Sequence, residues 1–425
     1  MNPQDMNRRR FIATSAAAAW AANASATAQP AKGPNDRLGV GIIGCGGRSA
    51  AHIGALQELA ERDKSVEIVA LCDVYRPRLQ KTIEKLGHPL DTYMDHRELL
   101  ANPKVDMVCI ATPDHHHGYQ ALDALKAGKH VYCEKPMTHW RQFALAKEVA
   151  KAAAASPCAF QLGAQRMSDS AFHQMRKLVQ DGLIGQPIHA ECGIFRTGDW
   201  GERGMPIEDP NVQPGPDLLW DAFLGDAPKR PFEASRFFRW RMYEDYAGGP
   251  VTDLYPHVLT QMIHMLGVKM PSKVVASGGI YRYPEREVPD TFNMLIDYPE
   301  KISVALLGSQ GNSYQATGNR DDIRVPVIRG WDGALTIEKE EIVFIPDDEA
   351  AKTGKTPQRF PIEHGYNMLL LMRNWVDCAR NGTKALDSGS ELAYYTQTAL
   401  LMGMAAFRGN RTAFFDPEKE EISVG

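Results

Sequence analysis

Residues 38–49 read Leu38-Gly39-Val40-Gly41-Ile42-Ile43-Gly44-Cys45-Gly46-Gly47-Arg48-Ser49. A short apolar run ends at glycines, and helical spacing follows from 50 to 62. Strand, glycine-rich turn and helix N-terminus form the arrangement over which a dinucleotide pyrophosphate sits. Gly44 and Gly46 match the first two glycines of a G-x-G-x-x-G fingerprint, with Cys45, Gly47 and Arg48 completing the loop. Ser49 stands at the third position, where a small residue still permits close helix packing.

Working outward, apolar strands at 66–72, 105–111 and 130–133 alternate with helical stretches at 76–86, 96–102, 115–127 and 138–155. Strands alternating with helices predict a parallel, doubly wound sheet, here a Rossmann domain over 37–160. Asp73 ends the second strand, where an acid accepts hydrogen bonds from both ribose hydroxyls and repels a 2′-phosphate. The cofactor is therefore expected to be NAD rather than NADP, although Arg76 and Arg78 stand nearby.

The next strand ends in Thr112-Pro113-Asp114-His115-His116-His117. Adjacent helical residues do not share a face, so one metal cannot collect all three histidines, and no metal is expected. Thr112, Pro113, His115 and His117 are instead read as lining the nicotinamide cleft. Glu134 and Lys135 end the following strand, and the carboxyl ends of parallel strands open into the ligand crevice. A lysine there can hydrogen-bond a substrate hydroxyl and stabilise charge on its oxygen.

After residue 160 the pattern changes. Two-periodic strands at 188–195, 273–281, 291–298 and 301–309 follow one another, with shorter ones at 323–328, 335–337 and 341–345. They predict a large, open, mostly antiparallel sheet in a second α+β domain over 161–425. Residues 196–250 read as long loops carrying Trp200, Trp220, Arg236 and Trp240, aromatic and charged groups suited to a sugar or to a subunit interface. Within the run 248–257, Asp253 and His257 are four apart on one predicted helix face. An acid beside a histidine suits proton abstraction from an alcohol.

In order along the chain, the glycine loop, Ala-Thr-Pro-x-His-x-His at 111–117, Glu134-Lys135-Pro136-Met137 and Gly-Gly-x-x-x-Asp-x-x-x-His at 248–257 resemble the Gfo/Idh/MocA oxidoreductases. The resemblance implies an NAD(P)-dependent enzyme acting on CH-OH groups of sugars, with a C-terminal sheet often used in oligomers, dimers or tetramers. It implies that Lys135 contacts nicotinamide ribose and substrate, and that Asp253 and His257 are the acid/base pair. Trp240-Arg241 with Ala247-Gly248-Gly249 is similar to the glucose–fructose oxidoreductase branch, which uses NADP, so Asp73 departs from it. Arg166, Trp240 and Tyr255 are expected in the substrate wall. Some members of the family hydrolyse glycosides by transient oxidation, elimination and re-reduction, which is the alternative reading.

The 425 residues carry a net charge of −4, with 44% hydrophobic and 24% charged residues. That composition excludes a disordered chain, and the mild acidity argues against a nucleic-acid partner. Seven cysteines at irregular spacing, with no C-x-x-C, form neither a disulfide framework nor a zinc site. The start, with Arg8-Arg9-Arg10-Phe11-Ile12, an alanine-rich run and Ala26-Thr27-Ala28, resembles a twin-arginine signal peptide over 1–28, followed by a linker over 29–36. A periplasmic protein exported folded by the twin-arginine machinery is expected, with its cofactor loaded beforehand and tightly bound. No segment beyond the start predicts a membrane span.

Overall fold

The computed structural model describes residues 37–198, 205–315, 319–320, 323–384 and 386–425. The expected signal peptide, the linker and Trp200 lie outside the described residues.

The first domain alternates β1 (Leu38–Ile43), α1 (Ser49–Asp63), β2 (Val66–Cys72), α2 (Arg76–Leu86), β3 (Asp91–Tyr93), α3 (His96–Ala101), β4 (Met107–Ile110), α4 (Asp114–Lys126), β5 (His130–Glu134), α5 (Phe143–Ala155) and β6 (Phe160–Gly163). The strand order is β3-β2-β1-β4-β5-β6, and every pair is parallel. Strands β1 and β4 are buried along their whole length, as continuous apolar runs must be when helices cover both faces. The order reverses between β1 and β4, and a ligand crevice opens there above the strands' carboxyl ends.

The second sheet follows α6 (Ser170–Gln180) and holds β7 (Pro187–Phe195), β8 (Lys273–Gly279), β9 (Thr291–Tyr298), β10 (Ile302–Ser309), β11 (Asn319–Arg320), β12 (Ile323–Gly330), β13 (Gly333–Glu338), β14 (Glu341–Pro346), β15 (Gln358–Pro361), β16 (Ala413–Asp416) and β17 (Glu421–Val424). All its pairs are antiparallel except β7 with β10, which run side by side in parallel. One face is covered by α6, α8 (Pro256–Leu266, after the single turn α7 at Pro250–Asp253) and α10 (Ser390–Gly409). Strand β9 shows the consequence: Phe292, Met294 and Ile296 are buried on the helix side, while Leu295 on the other face is half exposed.

Helix α9 (Met368–Asn381) returns to the first domain, where Leu371, Met372, Trp375 and Val376 join the Rossmann core. The two domains thus share apolar contacts, and the crevice between them has firm walls. The stretch read as open loops is partly helical. Trp220–Leu224 and Ala234–Phe238 each form a short helix, and their aromatic residues build a third apolar cluster with Tyr75 of the first domain. Among the described residues no helix is long and apolar enough to cross a membrane.

Candidate functional site

The glycine loop crosses the end of β4. Gly44 has φ +90°, and a Cβ there would stand 2.8 Å from the Ala111 carbonyl group, so only glycine suits this position. At Gly47 a Cβ would meet nothing within 4 Å, because the backbone there faces open space. Arg48 at the start of α1 makes no side-chain cap, which leaves first-turn amides available to an anion. Cys45 takes part through its backbone, donating its N–H to Asp73 at 2.8 Å. Its thiol is buried beside Cys72, and burial raises the thiol pKa.

A cavity of about 500 Å³ extends from this loop past Asp73, Thr112 and Pro113. Asp73 also accepts the Tyr75 N–H at 2.9 Å. Burial raises its carboxyl pKa and the Arg78 guanidinium opposes the rise. Arg78 bonds Glu208 at 2.7 Å, so the two acids here outnumber the one guanidinium directly beside them. Such a surround suits ribose hydroxyls and disfavours a 2′-phosphate. The loop's open backbone, uncapped amides and buried acid fit NAD.

The far wall of this cavity is a strap from the second domain, lined by Met205, Leu219, Phe223, Phe237 and Trp240. The strap is fastened at several points. Arg76 pairs with Asp217 at 2.8 Å, the Leu219 N–H donates to the Val74 carbonyl, and Arg78 lies over the rings of Phe237 and Phe238. His115 and His116 both turn toward the Phe223 carbonyl, at 2.8 and 2.7 Å.

A second cavity of about 490 Å³ shares Gly47, Arg48, Thr112 and Arg241 with the first and runs on to Lys135, Asp253 and His257. Lys135 Nζ donates to Asp253 Oδ1 at 2.9 Å and to the Asp253 carbonyl. Arg241 Nε reaches the same Oδ1 at 3.1 Å, and Arg196 lies 3.8 Å from Oδ2. Burial alone would raise the Asp253 pKa, but these three cations hold it far below the usual carboxylate range. Glu134 accepts from Arg48 and His52, both at 2.8 Å, and from Gln165. It ties α1 to the Lys135 segment. His257 faces the same cavity, and burial, reinforced by Lys135, depresses its pKa well below 6.5, so its imidazole is neutral.

Residues 38–164 match the oxidoreductase family with an NAD-binding Rossmann fold, and residues 223–331 match the Gfo/Idh/MocA C-terminal domain. The chain belongs to the Gfo/Idh/MocA oxidoreductases. Inositol 2-dehydrogenase of Salmonella typhimurium is 32% identical over 152 residues, 36% of this chain and 44% of that protein. Inositol 2-dehydrogenase of Burkholderia cenocepacia is 27% identical over 222 residues, 52% of this chain and 58% of that protein. The chain thus spans about half the length of these curated relatives. Aldose-aldose oxidoreductase from Caulobacter crescentus has the same fold, with a TM-score of 0.64 at 20% identity over 89% of this chain and 100% of that one. Levoglucosan dehydrogenase superposes with a TM-score of 0.65 at 16% identity, covering 92% and 99%.

In this Gfo/Idh/MocA chain, several residues stand away from where sequence spacing put them. Asp253 and His257 share a cavity but not a helix, because the helix is interrupted at Leu254 and Tyr255 between α7 and α8. Asp253 accordingly bonds Lys135 and Arg241 rather than the His257 ring. The same interruption sends Tyr255 into the second core, fully buried, where its hydroxyl donates to the Phe292 carbonyl. Tyr255 is therefore no substrate wall. His115 is buried as an anchor of the strap rather than a cleft lining. His117 lines the second cavity, its ring nitrogens facing the carbonyls of Pro136 and Thr112.

Trp240 lines the nucleotide-side cavity, not the Lys135 cavity, with the Arg241 guanidinium 4.2 Å above its ring. Trp220 and Arg236 hold the strap: the indole donates to the Arg230 carbonyl, and Arg236 pairs with Glu287 at 2.6 Å. Arg166 lines the Lys135 cavity. Sequence reasoning misses Arg196, Arg241 and Tyr366 in that cavity. Arg241 could have been found from its place directly after Trp240 in the quoted segment; Arg196 and Tyr366 carry no spacing signal.

It misses Asp114 as well. Burial, with Asp253 adding to it, pushes this carboxyl up to about 7 against the opposing Arg241, Lys135 and a hydrogen bond from Thr252. Between the ordinary aspartate value of 3.8 and about 7, the folded chain holds a proton that the unfolded chain has released. Native stability therefore falls as pH rises through that window. The neutral Asp114→Asn avoids this loss. We expect its melting temperature to match the parent's near pH 4 and to exceed it increasingly up to pH 8, by as much as about 4 kcal/mol of stability. A gap that stays constant with pH would contradict this.

Proposed function

We propose that this chain is a periplasmic NAD-dependent oxidoreductase that oxidises a hydroxyl-bearing carbon of a sugar or related cyclic alcohol. One observation carries the reading: a lysine, a neutral histidine and a cation-bound aspartate face a cavity that shares its wall with the glycine-loop cavity. When bound, NAD supplies the acceptor for the hydride that leaves as the alcohol carbon becomes a carbonyl. The chain's own groups do the rest. Lys135 donates to the reacting oxygen and polarises it, and His257, uncharged, takes the hydroxyl proton. Asp253 orients Lys135. The inositol 2-dehydrogenases, similar over 152 and 222 residues of this chain, support an alcohol on a ring as substrate.

The strap supports a retained cofactor. It is fastened by ion pairs, backbone bonds and an aromatic cluster, so release of a nucleotide requires these contacts to open. Retention suits a protein exported after folding, as Arg8-Arg9 suggests. The half-exposed face of the second sheet, with Leu295 and Ile345, supports a homo-oligomer.

Protein recovered from the periplasmic fraction and denatured in acid should release NAD at about one per chain. Sugars added to the native protein should then raise the near-ultraviolet absorbance of reduced nicotinamide. Absence of nucleotide counts against the reading. Release of the aglycone from an aryl glycoside without net reduction would favour the hydrolytic alternative.

A further inference from the structure

We propose that Gln165 and Tyr366 form the specificity site of the Lys135 cavity and select a ring polyol: the Gln165 side-chain carbonyl accepts a second hydroxyl of the substrate, and the Tyr366 ring lies against the C–H face of its ring. The inference rests on the oxidoreductase reading and deepens it. Both residues line the Lys135 cavity and neither lines the glycine-loop cavity, so they address the substrate rather than the nucleotide.

Glu134 fixes the orientation of the Gln165 amide. Burial alone would raise the Glu134 pKa, but Arg48, His52 and Lys135 hold it well below the usual carboxylate range. An ionised carboxylate only accepts, so the amide must turn its NH2 toward it. Gln165 Nε2 does so, at 3.0 and 3.1 Å from the two oxygens. Oε1 then turns away from the carboxylate. Among the described residues no donor reaches Oε1, yet the atom is not sealed in, so it opens into the cavity that Gln165 lines. A lone carbonyl oxygen there calls for a donor, and a sugar hydroxyl beside the reacting one supplies it.

Tyr366 is the only tyrosine, tryptophan or phenylalanine among the described residues of this wall, and it is 44% exposed. Its hydroxyl takes a hydrogen bond from Arg48, whose Nε is bound to Glu134 at 2.8 Å. No other aromatic ring stacks on it among the described residues. The ring is thus anchored at its hydroxyl end and open on its face. In a ring polyol the hydroxyls crowd the rim and C–H bonds leave an apolar patch on the flat side, which an aromatic face covers. An open-chain polyol has no such face and loses more rotor freedom on binding.

The two groups share one support. The Ser168 hydroxyl donates to the Gln165 backbone carbonyl and accepts the Asn367 N–H, both at 3.0 Å. The Ser170 hydroxyl donates to the His364 carbonyl at 2.8 Å and accepts the His364 N–H at 3.0 Å. These bonds pin the turn that carries Gln165 to the segment that carries Tyr366, and a recognition pair held this way is set before substrate arrives.

The test uses the full-length holoenzyme with pyranoses and inositols, their single-deoxy analogues, and open-chain alditols of the same carbon number. Absorbance of the reduced nicotinamide reports turnover, and calorimetry reports binding separately. We expect kcat/KM for the best ring compound to exceed that of its alditol roughly 100-fold. Tyr366→Ala should lower this ratio on the order of tenfold, mainly through KM, while Tyr366→Phe, which keeps the ring, should hold it within about threefold. The parent should reject one single-deoxy analogue roughly 100-fold, and Gln165→Leu should reduce that rejection about tenfold. Glu134 keeps Arg48 and His52 in that variant, so its charge stays paired. Each ratio is taken within one variant and is insensitive to the amount of folded protein. Ratios unchanged by Tyr366→Ala and Gln165→Leu overturn the proposal and leave the oxidoreductase reading standing. Ring compounds that bind without reducing the cofactor, and bind more weakly to both variants, support the site and count against that reading. No reduction and no binding by any compound overturns both.

Discussion

Replacing Lys135 by methionine is expected to lower kcat roughly 10³-fold while leaving the bound nucleotide in place. An ammonium group has three N–H donors. Two are spent inside the protein, on Asp253 Oδ1 and on the Asp253 carbonyl. The third is left for the cavity, which Lys135 lines. Those two bonds fix Nζ, so its donor is aimed before substrate arrives, and a fixed donor in a secluded site is worth about 10²–10³ in rate. Methionine keeps the length and apolar body of the side chain and removes the charge. Asp253 is not stranded by the change, since Arg241 remains at 3.1 Å and Arg196 at 3.8 Å. The variant should therefore fold and retain its nucleotide, which separates loss of chemistry from loss of structure. Arginine should not rescue it, because its planar head cannot occupy a point-charge site. Single-turnover absorbance with nucleotide content measured alongside decides the matter, and near-parent kcat would remove Lys135 from the proposed chemistry.

How far these residues could be read in advance follows from the range of the forces that place them. The first domain is legible because its signals are local. Strand β1 is apolar throughout, the turn needs glycine at Gly44, and helices stop at residues such as Gly87, which takes φ +74°. Lys135 is legible for a related reason, since the carboxyl end of β5 can open only into the crevice. Spacing fails where a helix is not continuous. The Asp253–His257 separation gives one face only if the i→i−4 ladder runs unbroken, and here the Tyr255 N–H goes to the Pro250 carbonyl and the His257 N–H to the Leu254 carbonyl. Tyr255 then falls into the core and Asp253 turns to Lys135.

The cluster around Asp253 is illegible for another reason. Arg196 follows β7, Arg241 sits in the strap and Lys135 ends β5, so the group is assembled by tertiary contact and has no period. His115 shows the same limit, because the strap that claims it comes from the other domain, and Trp240, part of that strap, lines the nucleotide-side cavity of the first domain.

Replacing His257 by asparagine should cost roughly 10²–10⁴ in kcat, the range for a lost general base. The ring lines the cavity beside Lys135, and both burial and that lysine keep it uncharged. A base works only when unprotonated, so parent activity should persist as pH falls through 6.5 and decline only as pH passes the depressed folded value. In the variant that acid limb should disappear, leaving a slow rate that climbs with hydroxide. Asp253 cannot substitute, because three cations hold it as a weakly basic carboxylate. The two predictions are also linked. Lys135 is one of the groups depressing the His257 pKa, so residual activity of Lys135→Met should show its acid limb shifted upward in pH. If the limb stays where it was, the residual base is not His257. If His257→Asn keeps the parent's rate and pH profile, the proton leaves by another route and the pairing of lysine and histidine proposed here fails.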